Sequence, residues 1–423
     1  MTAPERLPCK SAGCTRTILP STAVETGGYC HPCIQEERRK AHQEYVLANR
    51  KDVDPFAGLV DPVDIILASH ARRPYDELIR YLPLQRPLTS VYRDLSPSGV
   101  ERLVEHVVSI AGPEHDSGRE RLLLELAAYT MANLDRALLA LIACGEFYPG
   151  MAFHRAGPAV RDALLAATEV HNEHAMQALA WVDHPVARER FIRWQKQPPS
   201  YQAKLHVPAS SYAQIGGWQI EADGSPRRLY LEPCWGLIPT SERSLSGSNA
   251  CRIRVTTDQL CPQCNRLLTD LMILDRDDTR LASIPWLKRH LHVRTCLIGT
   301  CYNPIMFDHS ESGPPVWLGE VTPRPSGDSS DWTPVPSGSL VLDDQSRGLL
   351  QGASDYLPGP LSQIGGLPAW VQDTGYLLCP KCAKPMTFIG QVDVDDVLAH
   401  GEGMYYALVC PACRVSGTTY QQT

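Results

Sequence analysis

Twelve of the 15 cysteines in this 423-residue sequence fall into short-spaced pairs, and thiols paired in this way are the ligand chemistry of zinc. The pairs group into three sets. Cys9-x4-Cys14 goes with Cys30-x2-Cys33, Cys261-x2-Cys264 with Cys296-x4-Cys301, and Cys379-x2-Cys382 with Cys410-x2-Cys413. Two pairs on tight turns let four thiolates converge on one Zn²⁺, about 2.3 Å from each sulfur. Three structural zinc ions are therefore expected. In the second set His290 and His292 lie just upstream of Cys296 and stand as alternative donors. Four thiolates leave no open position on the metal, which favours a structural role over Lewis-acid catalysis.

Cys144, Cys234 and Cys251 have no short-range partner and read as buried or incidental thiols. A redox reading of the C-x2-C pairs fits poorly. Such a motif opens a helix in a βαβ setting, whereas strand-like runs, Tyr376–Leu378 and Tyr405–Val409, precede the third set. No G-x-S-x-G, no phosphate-binding G-x-x-x-x-G-K-[ST] and no dinucleotide fingerprint occurs, so no enzymatic activity is expected. Glu169, His171, Glu173 and His174 sit at helical spacing without the H-E-x-x-H arrangement, and a polar helix face accounts for them. Two D-x-D-D clusters, Asp275 to Asp278 and Asp393 to Asp396, lack the glycine and distal glutamate of an EF-hand. They read as solvated turns.

The elements that must position these thiols follow from composition and periodicity. With 43% hydrophobic and 21% charged residues, the chain can bury real cores and divides into several units. A formal net charge of −7 with scattered Lys and Arg argues against a nonspecific binder of nucleic acid or anionic membrane. The opening MTAPERLPCK has no apolar core for a secretory signal. The longest apolar stretch, Leu122 to Cys144, is interrupted by Glu125, Asn133, Asp135 and Arg136 and is unsuited to crossing a bilayer. A cytoplasmic protein is expected.

Residues 1–50 read as a zinc-ribbon-like module with a trailing solvated helix through its EERRK run. Residues 55–200 read as α-helical. Ser96-Pro97 starts a helix with Val100, Leu103, Val104 and Val107 on one face, and a longer helix is expected from Gly118 to Cys144. Gly157-Pro158 and His184-Pro185 open two more. Short antiparallel helices in this order suggest a HEAT-like stack.

Beyond residue 205 the sequence repeats itself. Gln214-Ile-Gly-Gly-Trp218 recurs as Gln363-Ile-Gly-Gly-Leu-Pro-Ala-Trp370, each followed by a Cys-Pro-x-Cys knuckle, a D-x-D-D cluster at equal spacing and a second cysteine pair. This predicts two β-rich zinc units, residues 205–320 and 321–423, in a multidomain α+β chain. QIGGLPAW, CPKCAKPMTFIGQVD and YYALVCPAC resemble the YwqG-like domain, whose eukaryotic relatives include programmed-cell-death-protein-2 and ribosome-maturation chaperones. The resemblance maps the family pattern onto Gly365, Gly366, Pro368, Trp370, Cys379, Cys382, Gln391, Cys410 and Cys413. It implies a duplicated β fold that binds another protein. The expected role is a non-enzymatic immunity protein that neutralises a toxin, with a chaperone for a ribosomal or other client as one alternative and a nucleic-acid-binding zinc protein as another. A partner protein and Zn²⁺ are expected, and a membrane is not.

Overall fold

The first residues to consider are the small polar ones that stand before apolar runs, because they set where helices begin. The fold is described by a computed structural model covering residues 5–239, 251–310, 312–319, 321, 340–398 and 401–422. It divides into two units, Met1–Gln85 and Arg86–Thr423. The expected boundary between residues 320 and 321 borders the stretch 322–339, which lies outside the described residues.

In the first unit β1 (Leu7–Pro8) pairs antiparallel with β2 (Thr17–Ile18). They are followed by α1 (Pro20–Glu25) and α2 (His31–Asn49). No residue of α2 is buried, and its ion pairs, Glu36 with Arg39 at 2.8 Å and with Lys40 at 3.7 Å, lie on solvated surface. This is the solvated helix that its charge pattern predicts. β3 (Lys51–Val53) runs parallel to β4 (Ile79–Tyr81), and between them α3 (Pro62–His70) is capped by the Asp61 carboxylate, which accepts from Val63 N–H at 2.9 Å.

The second unit opens with helices: α4 (Leu88–Arg93), α5 (Pro97–Ser109), α6 (Ser117–Tyr129), α7 (Asp135–Ala143), α8 (Pro158–Ala167), α9 (Glu173–Trp181) and α10 (Pro185–Lys196). The Ser96 hydroxyl accepts from Gly99 N–H at 3.1 Å, and Asn172 and His184 cap α9 and α10 in the same manner. The helix expected over residues 118–144 is two helices. Thr130 Oγ1 donates to Leu126 O and accepts from Ala132 N–H, and Asn133 Oδ1 accepts from Asp135 N–H. These polar side chains satisfy the backbone at a break that apolar periodicity does not register. Successive helices α7, α8 and α9 pack on one another, and α5 packs on α7, with Leu103, Val107, Leu138 and Leu164 wholly buried. Arg119, 2% exposed, ties the α5–α6 connection by donating to Ile110, Gly112 and Glu114 carbonyls.

The strands follow. β5 (Trp218–Ile220) and β6 (Pro226–Arg228) form a small ribbon. β7 (Leu231–Pro239), β8 (Cys251–Leu260), β9 (Leu267–Asp275), β10 (His290–Thr295), β11 (Ile305–Asp308) and β12 (Val316–Leu318) precede β13 (Leu340–Arg347), β14 (Gln363–Gly366), β15 (Thr387–Asp393), β16 (Met404–Cys410) and β17 (Val415–Gln421). β8, β9 and β10 make a three-stranded sheet with β9 central. The other eight make one sheet in the order β12-β11-β17-β16-β15-β14-β7-β13. Strands on both sides of residue 320 therefore share a single sheet. Tyr405 and Tyr406 of β16 are wholly buried, and one apolar core spans both sheets, from Leu271 and Leu291 to Ile389 and Val409.

The two sequence repeats differ in how far their structures agree. After the knuckles they agree: β9 and β15 both end at the first aspartate, whose Oδ1 accepts from Asp277 N–H at 3.0 Å in the one and from Asp395 N–H at 3.2 Å in the other. The 3₁₀ turns that follow start at different aspartates, Asp278 and Asp393, and Asp277 and Asp396 pair with Arg289 and Ser362. The QIGG segments do not agree. Residues 214–216 close a 3₁₀ helix, Ala209–Gly216, whereas Gln363–Gly366 is strand β14. In both, glycine permits a close approach: a Cβ on Gly216 would lie 1.9 Å from Ala180 O, and one on Gly365, at φ +71°, 2.4 Å from Pro233 O.

Candidate metal centres

Cys9 enters the first centre from the end of β1, and Cys30 from the residue that precedes α2. Gly13, at φ +76°, reverses the chain so that Cys14 returns toward Cys9, and Gly27 and Gly28 do the same ahead of Cys30. The Sγ atoms of Cys9, Cys14, Cys30 and Cys33 all lie within 4.8 Å of one another. A tetrahedral ion 2.3 Å from each sulfur sets sulfur–sulfur distances of about 3.8 Å, and Cys14 and Cys30 stand 3.8 Å apart. Cys30 N–H donates to Cys9 Sγ at 3.2 Å. The Cys33 backbone N–H, with the neighbouring thiols, draws the Cys30 thiol down to about 6, so thiolate forms readily where a cation would sit.

The third centre gathers Cys379, Cys382, Cys410 and Cys413 in the same way, with 3.8 Å between Cys382 and Cys410. Its first knuckle is a closed loop: Cys379 N–H donates to Lys384 O and Ala383 N–H to Cys379 O, with Ala383 at φ +56°. Its second knuckle joins β16 to β17, pairing Cys410 with Val415 and placing Arg414 at φ +55°. Two lysines of the first knuckle anchor it. Lys381 donates to Asp308 at 2.6 Å and Lys384 to Glu221 at 2.8 Å, and these contacts, aided by Ser310 and by Gln219 and Arg227, hold both carboxyls at about 2.

At the second centre three of the four expected cysteines converge. Cys261, Cys264 and Cys296 lie within 4.8 Å of one another, with Cys264 and Cys296 at 3.5 Å. The first knuckle repeats the geometry of the third centre: Cys261 N–H donates to Arg266 O, Asn265 N–H to Cys261 O, and Asn265 takes φ +57°. The Cys296 thiol, with the Cys264 and Gln263 backbone N–H groups, lowers Cys261 to about 5. Cys301, expected as the fourth ligand, is not in this cluster. The chain winds helically from Cys296, whose carbonyl accepts from Thr300 N–H, into the 3₁₀ turn Gly299–Cys301. Five residues of such winding carry Cys301 well past Cys296. The same x4 spacing works in the first centre because Gly13 turns the chain back, and Thr300 cannot do so cheaply. Cys301 Sγ instead donates to Leu297 O at 3.3 Å. His290 and His292 do not replace it, since Asp275 lies 3.7 Å from His290 Nδ1 and Asp270 2.8 Å from His292 Nδ1.

The remaining sequence candidates have other partners. Glu173 accepts from Tyr212 Oη at 2.6 Å and Glu169 pairs with Arg190, which makes them packing and surface contacts. All the cysteines are free of disulfides. Cys234 and Cys251 are buried, and burial pushes both thiols up to about 12. The nearby Arg347 and Arg280 guanidinium groups only partly offset that burial. Sequence reasoning missed the left-handed residues Asn265, Ala383 and Arg414, which close the knuckles. Their common position directly after a Cys-x-x-Cys pair is the signal that locates them.

A known protein, the uncharacterized protein YpfL of Salmonella typhimurium, is 34% identical over 428 residues, spanning 99% of this chain and its own full length. The chain belongs to the YpfL family. The match runs through both units and so takes in all three cysteine clusters. No family model matches the chain, and no solved structure does. Among the described residues no helix is long and apolar enough to cross a membrane.

Proposed function

We propose that the chain is a zinc-stabilised, non-enzymatic protein-binding protein of the cytoplasm, and that its partner is a toxin it neutralises. The observation that carries protein binding is a groove of about 850 Å³ in the N-terminal unit, between α2 and the segment 73–81. Val46, Leu47, Tyr75, Ile79 and Tyr81 line it. Leu47 is 66% exposed and Tyr75 93%. Covering apolar surface of this kind gains about 25 cal/mol per Å², and apolar side chains gathered at one groove mark an interaction site. Arg50, Arg73 and Arg80 line the groove together with Asp76 and Glu77, a mixed rim that suits a partner segment whose apolar residues are flanked by charges of both signs.

Zinc is the ion that suits clusters of three and four thiolates. The sequential packing of α7, α8 and α9 supports a HEAT-like stack, and the matched knuckles and the matched N–H bonds to Asp275 and Asp393 support two diverged YwqG-like copies. The combination of helical stack and YwqG-like region favours toxin neutralisation over chaperoning of a ribosomal protein.

The test is co-expression with a toxin encoded beside the gene. Wild-type chain should restore growth, and Leu47→Asp with Tyr75→Asp should abolish the rescue while metal content stays unchanged. A soluble, metal-loaded chain that gives no protection, yet copurifies with a basic ribosomal protein, would replace neutralisation with chaperoning. A gel shift at moderate salt would instead establish nucleic acid as the partner.

A further inference from the structure

The second centre differs from the other two in more than its count of thiols. Cys261, Cys264 and Cys296 are 1%, 9% and 2% exposed, and they pack with Leu268, Ile305 and Phe307 in a small apolar shell. Cys301 is engaged elsewhere: it donates to Leu297 O at 3.3 Å, the carbonyl that also accepts from the Tyr405 hydroxyl at 2.8 Å. His290 and His292 face Asp275 and Asp270. No other Cys or His among the described residues joins the cluster.

Two buried polar atoms beside this shell lack a hydrogen-bond partner. One is Gln263 Oε1, on the knuckle between Cys261 and Cys264, in a side chain belonging to a residue only 8% exposed. The other is Trp317 Nε1, whose ring packs edge-on against Phe307 at 5.5 Å. Leaving such an atom unpaired in the interior is costly, and one is an acceptor while the other is a donor. The corresponding residue of the third centre, Lys381, is fully partnered through Asp308 and Ser310. Charge points the same way. Four thiolates around a divalent ion carry a net −2, three carry −1, and the smaller charge is less costly to hold in an apolar shell.

We propose that the second cluster is a three-thiolate metal centre whose fourth position belongs to an exogenous ligand, a water molecule that imidazole or a small thiol can replace. Water supplies both the donor that Gln263 Oε1 lacks and the acceptor that Trp317 Nε1 lacks. Three protein ligands with one exchangeable position is the arrangement that distinguishes a reactive thiolate–metal site from a sealed one. The first and third centres, with four thiolates each, are sealed. The proposal rests on the zinc reading of the clusters.

The experiment uses the full-length chain purified anaerobically, with metal counted per chain and with cobalt substituted for its spectrum. Cys301→Ser should keep all three metal ions and leave the sulfur-to-cobalt charge-transfer band unchanged. Imidazole added to wild-type chain should shift the cobalt ligand-field bands by an amount corresponding to one ion in three, and should do so equally in Cys301→Ser. Loss of one metal ion, or of charge-transfer intensity, in Cys301→Ser would make Cys301 the fourth ligand and overturn the proposal. A wild-type spectrum unmoved by imidazole would overturn it too. Two metal ions per wild-type chain would sink this centre alone, whereas none would sink the zinc reading altogether.

Discussion

Removing metal from the first cluster should unfold its module and leave the second unit intact. Among the described residues, the buried apolar groups of the module are Cys9, Ile18 and Cys30, with Ala23 and Tyr29 partly covered. Full burial of Ile18 contributes about 1.5–3 kcal/mol, and the partly covered groups raise the apolar total to about 5 kcal/mol. A structural zinc site contributes about 10–16 kcal/mol at neutral pH, two to three times as much, and chains below about 40 residues seldom fold without such support. No disulfide shares the load. The perturbation is Cys30→Ser, which removes a ligand of the first cluster alone. The assay is hydrogen exchange read by mass spectrometry, with metal measured in the same sample. The amides of Cys9, Lys10 and Cys14, which donate to Arg16, Gly28 and Ser11 carbonyls, should lose all protection, because 10 kcal/mol corresponds to about seven powers of ten in opening. Amides in β15 and β16 should change far less. Unchanged protection at Cys9 and Lys10 in Cys30→Ser protein that has lost this one metal ion would refute the reasoning.

Gln391 is wholly buried; it accepts from Ala369 N–H at 2.9 Å and donates to Leu361 and Gly352 carbonyls. Gln391→Leu leaves three backbone groups unpaired and should cost about 3–5 kcal/mol, visible as a lower urea midpoint with an unchanged slope. A loss below about 1 kcal/mol would show that water replaces the amide. The Glu221 carboxyl is held at about 2, below its ordinary 4.5, chiefly by Lys384. Its contribution is therefore complete above pH 4.5 and is lost as pH falls toward 2. Because Lys384 is 60% exposed and solvent screens the pair, Lys384→Ala should lower the urea midpoint only slightly at pH 7. The difference from wild type should vanish near pH 2, and one that persists there would remove the ion pair as its cause.

Local chemistry made much of this architecture readable. Ser96-Pro97 and His184-Pro185 fix helix starts because a side-chain acceptor and a preset φ act within one turn. The knuckles of the first and third centres were legible because their ligand spacing and turn geometry are both short-range. Two failures mark the limit of such signals. Thr130 and Asn133 end one helix and begin another through hydrogen bonds that a count of apolar residues does not contain. The x4 interval in Cys296 to Cys301 matches that of Cys9 to Cys14, yet only the latter has glycine at the position that must turn back. Sheet order was beyond reach for a different reason. β7 lies between β13 and β14, and β11 lies beside β17, pairings set by packing over more than a hundred residues rather than by any local pattern.

That strand order dictates when this sheet can close during synthesis. β11 pairs with β12 on one side and β17 on the other, and β17 follows β11 by more than a hundred residues. Until β17 has been made, β11 presents an open edge of unpaired N–H and C=O groups, a template for pairing with another nascent chain. The seven-residue strand β17 closes that edge, so a chain cut before residue 415 should be prone to aggregate.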